Sequence, residues 1–235
     1  MGKTASIVLI AVANSIGTLE TGSRIHERKC AMNRTNGSIL LSLLALILSG
    51  CGHPKAIRYY TVQSATAPAV LSTNAQSVSL LVGSINGPEI FRGSPIAYRI
   101  GANEIGTYQF SQWVEPPVMM VQSSLIRVLR ASGNYQSVMS LGSAVDGQFL
   151  VRGRLYDFEE VDGGSIAGLV SMEFELVDRK TGKVVWSHFY SQSEPVQGKE
   201  ISAIVTALDV NLDRGLKETA AGLNQYFLAN SGGKS

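Results

Sequence analysis

Phe149-Leu150-Val151-Arg152-Gly153-Arg154-Leu155-Tyr156, then Asp162-Gly163-Gly164-Ser165, then Val170-Ser171-Met172-Glu173-Phe174-Glu175-Leu176-Val177 decide the fold. Apolar and polar residues alternate with period two on both sides of the glycine pair, the pattern of half-buried strands. A two-residue Gly163-Gly164 turn pairs Asp162 with Ser165. Counting outward, Arg154 faces Glu173 and Arg152 faces Glu175. On the other face Leu155 meets Met172 and Val151 meets Leu176. One register serves both faces, and a slip of one residue would turn the charges into the core.

The remaining elements are read outward from this hairpin. Arg58 to Val62 is a strand rich in β-formers, Ser64 to Gln76 a loop, and Val78 to Ile85 a buried strand broken by Gly87-Pro88. Ile96–Ile100 and Ile105–Phe110 flank a Gly101-Ala102-Asn103-Glu104 hairpin turn. Trp113-Val114-Glu115-Pro116-Pro117 opens a helix, with proline suited to its first turn and Glu115 near its positive end. Val118, Val121, Gln122, Leu125, Val128 and Leu129 form one face of that helix, which ends at Gly133-Asn134. Asp178 to Lys183 is a turn, Val184 to Tyr190 a strand and Ser191 to Gly198 a loop. From Lys199 the period changes to three and four: Ile201, Ile204, Val205, Leu208, Leu212, Leu216, Ala220, Leu223 and Phe227 make a long amphipathic helix, with Gly215 a place for a bend. The expected class is α+β, an antiparallel β-sheet with two amphipathic helices packed on one face.

Ahead of this domain, Leu48-Ser49-Gly50-Cys51 closes an apolar run, Ile39 to Leu48, that follows Met32, Asn33 and Arg34. A basic start, a short apolar stretch and small residues before a cut are the marks of a secretory signal peptide. Ten apolar residues are half of the roughly 20 a spanning helix needs. A cysteine directly after the cut resembles a bacterial lipoprotein signal. Cys51 would then carry a diacylglycerol on its thiol and a third acyl chain on its amino group. Residues 1–50 are read as leader, with Met32 the simplest true start and a long two-part leader the alternative, 51–58 as lipidated tether, 59–230 as one domain and 231–235 as a frayed tail. The mature chain, residues 51–235, has 185 residues, enough for one domain with a sizeable core.

Composition narrows the chemistry. The formal net charge is +2 without a basic block, so nothing marks a nucleic-acid footprint. Of the two cysteines, Cys30 falls in the leader and Cys51 is the acylation site, so the mature domain has no disulfide. His53 lies in the tether. His188, between Trp186 and Tyr190, has no triad or metal-site partner in the sequence. Asp157, Glu159, Glu160 and Asp162 lack calcium-loop spacing and read as a solvated acidic rim. Met119, Met120 and Met139 read as core filler before a lipid-lining groove. No catalytic and no metal-binding residues are assigned.

The order of short motifs carries a family resemblance. It runs from the lipobox through Tyr59-Tyr60, Leu80-Leu81-Val82-Gly83 with Pro88, Pro95-Ile96 with Arg99, and Trp113-Val114-Glu115-Pro116. It ends on Thr181-Gly182-Lys183-Val184-Val185-Trp186 and the terminal amphipathic helix. This order resembles the ABC-type transport auxiliary lipoprotein component family, which includes paraquat-inducible protein C. The sequence departs from the family pattern at Phe91-Arg92-Gly93 and at Ala97. The resemblance implies a non-enzymatic accessory, without cofactor beyond its acyl chains. Its implied partners are a mammalian-cell-entry (MCE) domain protein and the associated ABC permease and ATPase, in a system that moves phospholipids or other hydrophobic molecules. Gly52, where aspartate would favour retention in the inner membrane, points to the periplasmic face of the outer membrane. The candidate partner surface is Ile85–Glu115, with Arg92, Tyr98, Arg99 and Trp113 as contacts, Trp113 being equally able to plug the core. A homo-oligomer is compatible with this reading. Two other roles remain: a lipoprotein that regulates a cell-wall enzyme, and a stand-alone lipid-binding lipoprotein.

Overall fold

The computed structural model describes residues 55–63, 76–143 and 146–230. The leader, Cys51, most of the Ser64–Gln76 loop and the 231–235 tail lie outside the described residues. The elements in order are β1 (Arg58–Tyr60), β2 (Gln76–Asn86), a 3-10 turn (Glu89–Phe91), β3 (Pro95–Ile100), β4 (Glu104–Trp113) and α1 (Pro117–Ala131). They continue with β5 (Tyr135–Ser140), β6 (Phe149–Asp162), β7 (Ile166–Asp178), β8 (Val184–Pro195) and α2 (Ile201–Asn230).

The β6–β7 hairpin has the expected pairs Arg152↔Glu175, Arg154↔Glu173, Val151↔Leu176 and Leu155↔Met172. It reaches them by another route. The closing pair is Asp162↔Ile166, so the turn holds three residues instead of two, with Gly164 at φ 105°. A bulge between Leu155 and Asp157 then takes up the extra residue. The two departures cancel, and the apolar set stays on the core face.

The α+β class holds, with two helices on one sheet face, and the sheet itself is mixed. Pairs β3–β4, β6–β7 and β7–β8 are antiparallel, while β1–β4, β2–β5, β2–β6 and β3–β6 are parallel. The spine is β6. One of its edges carries β7 along its whole length. The other carries β2 from Leu80↔Phe149 to Asn86↔Arg154, then β3 from Ala97↔Glu159 to Ile100↔Asp162. Strands β2 and β3 thus act as one long strand interrupted at residues 87–94, where the chain leaves the sheet and buries Phe91. Because both pieces run the same way along one edge, no crossover helix is needed between them.

The core lies between this sheet and the helices. Leu80, Val82, Val151, Leu155, Phe158, Met172, Phe174 and Leu176 meet Val121, Leu125 and Leu129 of α1 and Leu208, Leu212, Leu216 and Leu223 of α2 in one cluster. Helix α1 packs on β2 and β5, α2 packs on β6, β7 and β8, and the helices touch each other. Gly215 serves close approach: a Cβ there would collide with Met172 Cε and sit 2.7 Å from the Tyr190 ring. Asn211, within the apolar stripe of α2, is fully buried. Its Nδ2 donates to the carbonyls of Gly168 (2.9 Å) and Gln192 (2.6 Å), and its Oδ1 accepts from Tyr190 (2.5 Å). These bonds lock the helix to β7 and β8, and every polar atom of the side chain is used.

Candidate functional site

The candidate partner surface falls on the seam where β3 joins β6, and neighbouring residues go to opposite faces. On the face away from the helices, Arg99 Nε donates to Glu159 Oε1 at 2.5 Å and Nη2 lies 3.6 Å from Asp157. On the helix side, Tyr108 donates to Glu160 Oε2 at 2.5 Å and its ring lies 5.0 Å from Tyr98. Tyr98 and Arg99 are therefore half-buried members of internal networks. Arg92 stands on the 87–94 excursion with a 60%-exposed side chain, 3.4 Å from Glu89. Trp113 is 1% exposed, and its ring centroid lies 5.4 Å from that of Phe158. It fills the core here, where the end of β4 pairs its backbone with Ser94.

The acidic stretch is not a free rim. Asp157 and Glu159 face Arg99, Glu160 accepts from Tyr108, and Asp162 Oδ1 accepts from the Gly164 amide in the turn. The Glu159 side chain is fully buried and its Oε2 has no hydrogen-bond partner. Burial pushes its carboxyl above the ordinary value of 4.5, against the downward pull of Arg99. A carboxyl raised on folding holds its proton more tightly in the folded state. Its stabilising contribution is complete below about 4.5 and is lost as pH rises through the folded value. Thermal melts of wild type and Glu159→Gln are therefore expected to diverge in favour of glutamine between pH 4 and 7, and a gap that narrows with rising pH would contradict this.

On the exposed face of β6–β8, the cross-strand pairs Arg152–Glu175 and Arg154–Glu173 expected from the sequence are joined by Tyr156 and Phe189. The bulge residue Tyr156 donates to Glu173 Oε2 (2.7 Å), receives the Arg154 guanidinium 5.3 Å from its ring centroid, and meets Phe189 edge-on at 5.9 Å. Phe189 is 60% exposed. Arg152 pairs with Glu175 at 2.7 Å beside them. Exposed aromatic and arginine side chains are what interface anchors are made of. The sequence signals were the alternating Arg152, Arg154, Glu173 and Glu175, and Phe189 on the polar phase of its strand.

His188 stacks on Trp186 in a groove along α2, with centroids 5.9 Å apart, and its Nε2 has no partner. Met120 is in the core and Met119 is half exposed. Among the described residues, no three His, Cys, Asp or Glu side chains are placed to hold a metal ion, and no helix is long and apolar enough to cross a membrane. The arrangement offers binding surfaces and internal ion pairs.

Known proteins give the same outline. A Xanthomonas campestris protein of the DUF330 family shares 19% identity with the chain over 74% of its length and 98% of that chain, at a TM-score of 0.66. A second, uncharacterised protein shares 14% identity over 72% of this chain and 97% of that one, at a TM-score of 0.54. The likeness to PelC from Paraburkholderia phytofirmans, solved as a dodecamer, is weaker: 16% identity, 67% and 97% coverage, TM-score 0.41. No curated protein matches. The model of the ABC-type transport auxiliary lipoprotein component matches residues 60–220, and by that match the chain belongs to this family of membrane-anchored lipoproteins.

Proposed function

We propose that the chain is a periplasmic lipoprotein, acylated at Cys51 and held at the outer membrane, that serves as a non-enzymatic docking component of an MCE-type ABC transport system moving phospholipids or other hydrophobic molecules. The observation that carries this is the order of parts: an acylation-type Leu48-Ser49-Gly50-Cys51 stands directly ahead of a domain matched from residue 60 to 220 to a transport auxiliary lipoprotein. Docking fits the interior better than carriage of lipid does. The space between sheet and helices is filled by the chain's own Trp113, Phe91, Phe158, Leu80, Leu125 and Leu155, each less than 2% exposed. The exposed side chains offered to a partner are Arg92 near one end of the seam and Arg154, Tyr156 and Phe189 on the β6–β8 face. Affinity purification of the full lipoprotein from crosslinked membranes, followed by mass spectrometry, tests it. An MCE-domain protein with its permease and ATPase is expected; cell-wall enzymes with no MCE protein would sink the proposal.

A further inference from the structure

We infer that one end of the sheet, tipped by Ile100 and Ile105, rests in the headgroup layer of the bilayer that holds the acyl chains. The inference rests on the acylation of Cys51 proposed above, and it adds which surface of the domain the membrane meets.

The direction of β1 carries the argument. Strand β1 runs parallel to β4, with Arg58 opposite Ser111 and Tyr60 opposite Trp113. Just upstream, the Lys55 ammonium sits 5.2 Å from the Phe110 ring centroid. A chain that enters β1 parallel to β4 comes from the side on which β4 begins, the Gly101–Glu104 turn. Lys55 is the fourth residue after Cys51, and an extended chain covers at most about 3.6 Å per residue, so the acylated residue lies within roughly 14 Å of Lys55. The five steps along β4 from Phe110 back to Ile105 span a similar distance, about 17 Å. The glycerol backbone on Cys51 must lie at the bilayer surface, so that surface lies close to this end of the sheet.

Several elements finish at the same end. Ile100 pairs with Glu104 in its own hairpin and with Asp162 of β6, so the β3–β4 and β6–β7 turns emerge side by side. Helix α2 starts here as well, since Lys55, Ala56, Arg58 and Phe110 line one groove with Glu200 and Ile201. The turn from Gly101 to Glu104 is wholly exposed, and it is bracketed by Ile100, 52% exposed, and Ile105, 40% exposed. The two side chains leave opposite faces of the hairpin, because Ile100 shares the face of Glu104 and Ile105 that of Arg99. Scattered exposed isoleucines mean little by themselves. Two of them on both faces of a protruding turn, at the end where the tether enters, form an apolar wedge. Glu104 and Asp162 pair with Ile100 at the tip, while Lys55, Arg58 and Glu200 lie farther up, beside Phe110 and Ser111, a mixed-charge belt set back from the wedge.

The acylated full chain can test this directly, because Cys51 is the mature protein's sole cysteine and its thiol is blocked. Single Ile105→Cys, Ile100→Cys and Lys180→Cys variants are labelled with an environment-sensitive fluorophore. Lys180 lies in the turn at the opposite end of the sheet. Each is reconstituted in phosphatidylethanolamine–phosphatidylglycerol vesicles with or without a lipid quencher near the headgroups. Labels at 100 and 105 are expected to shift to the blue and lose about half their emission to the quencher, as for side chains seated at the acyl boundary, while the label at 180 does neither. An acylated, vesicle-bound chain whose labels at 100 and 105 stay water-like, or are shielded only when a partner protein is added, overturns the inference alone. A chain that fails to float with vesicles and has an unmodified Cys51 by mass overturns both the inference and the acylation beneath it.

Discussion

Replacing Cys51 by alanine is expected to abolish the mature lipoprotein outright. Alanine has no thiol to take up diacylglycerol, so radiolabelled palmitate should no longer enter the chain and the acylated form should disappear. The sharper version replaces residues 1–50 by an ordinary cleavable leader and Cys51 by serine. That chain should fold and appear in the soluble periplasmic fraction. The physical contrast is large. Each buried methylene contributes about 0.8 kcal/mol, one chain binds reversibly and two already hold a protein on the membrane. The helices of the described domain are amphipathic, and none is long and apolar enough to span a bilayer. If the serine chain stays with the membrane after a high-salt wash, anchorage has another source and the tether is not what holds the domain. A docking component released from the membrane should also fail to restore transport when supplied in place of the wild-type chain.

What could be read in advance follows from how far apart the interacting residues lie in the chain. The β6–β7 hairpin was legible because its two faces impose separate demands, charges on one and Leu155, Met172, Val151 and Leu176 on the other, and only one register meets both. The turn length differs from the one that the glycine pair suggests, three residues in place of two. The bulge at Tyr156 compensated, since selection acts on which face a side chain reaches and not on the residue count of the turn. Strand β5 left no usable signal: Tyr135-Gln136-Ser137-Val138-Met139-Ser140 pairs with β2 alone, and only Tyr135 and Val138 are buried. The continuation of β8 through Ser191-Gln192-Ser193-Glu194 looked like a loop because an edge strand with exposed side chains has little need of apolar residues. The parallel pairs of β6 with β2 and β3 join residues 62 to 69 apart in the chain, where no turn sets a register. The Arg99–Glu159 and Tyr108–Glu160 contacts depend on those pairs and were hidden with them. Asn211 leaves no distinct signal in the sequence, because one polar residue in an apolar stripe looks like the edge of the stripe. Its three partners are what make it buried.

Trp113→Ala is expected to be the most destabilising single substitution in the Ile85–Glu115 region, and it separates a core role from a contact role. The indole is 1% exposed, packs on Phe158 at 5.4 Å, and fills the space beneath the 87–94 excursion where β2 leaves the sheet and β3 enters it. Truncating a buried tryptophan costs about 3–5 kcal/mol, the lost transfer energy plus the cavity. For a domain of this size, each kcal/mol lowers Tm by about 2–4 °C, so a drop of roughly 6–20 °C is expected. That is a large part of the 5–15 kcal/mol a typical domain has. The Trp113 Nε1 atom is buried without a hydrogen-bond partner. Trp113→Phe therefore gives up volume while removing an unsatisfied donor, and should cost under about 2 kcal/mol. Arg92→Ala is the counterpart: an exposed side chain with one 3.4 Å ion pair should change stability by less than about 0.5 kcal/mol. Partner capture by Arg92→Ala can accordingly be read without a folding artefact, and capture by Trp113→Ala cannot. If instead Trp113→Ala melts like wild type yet loses the partner, the indole leaves its pocket to be bound, and the seam between β2, β3 and β6 opens on docking.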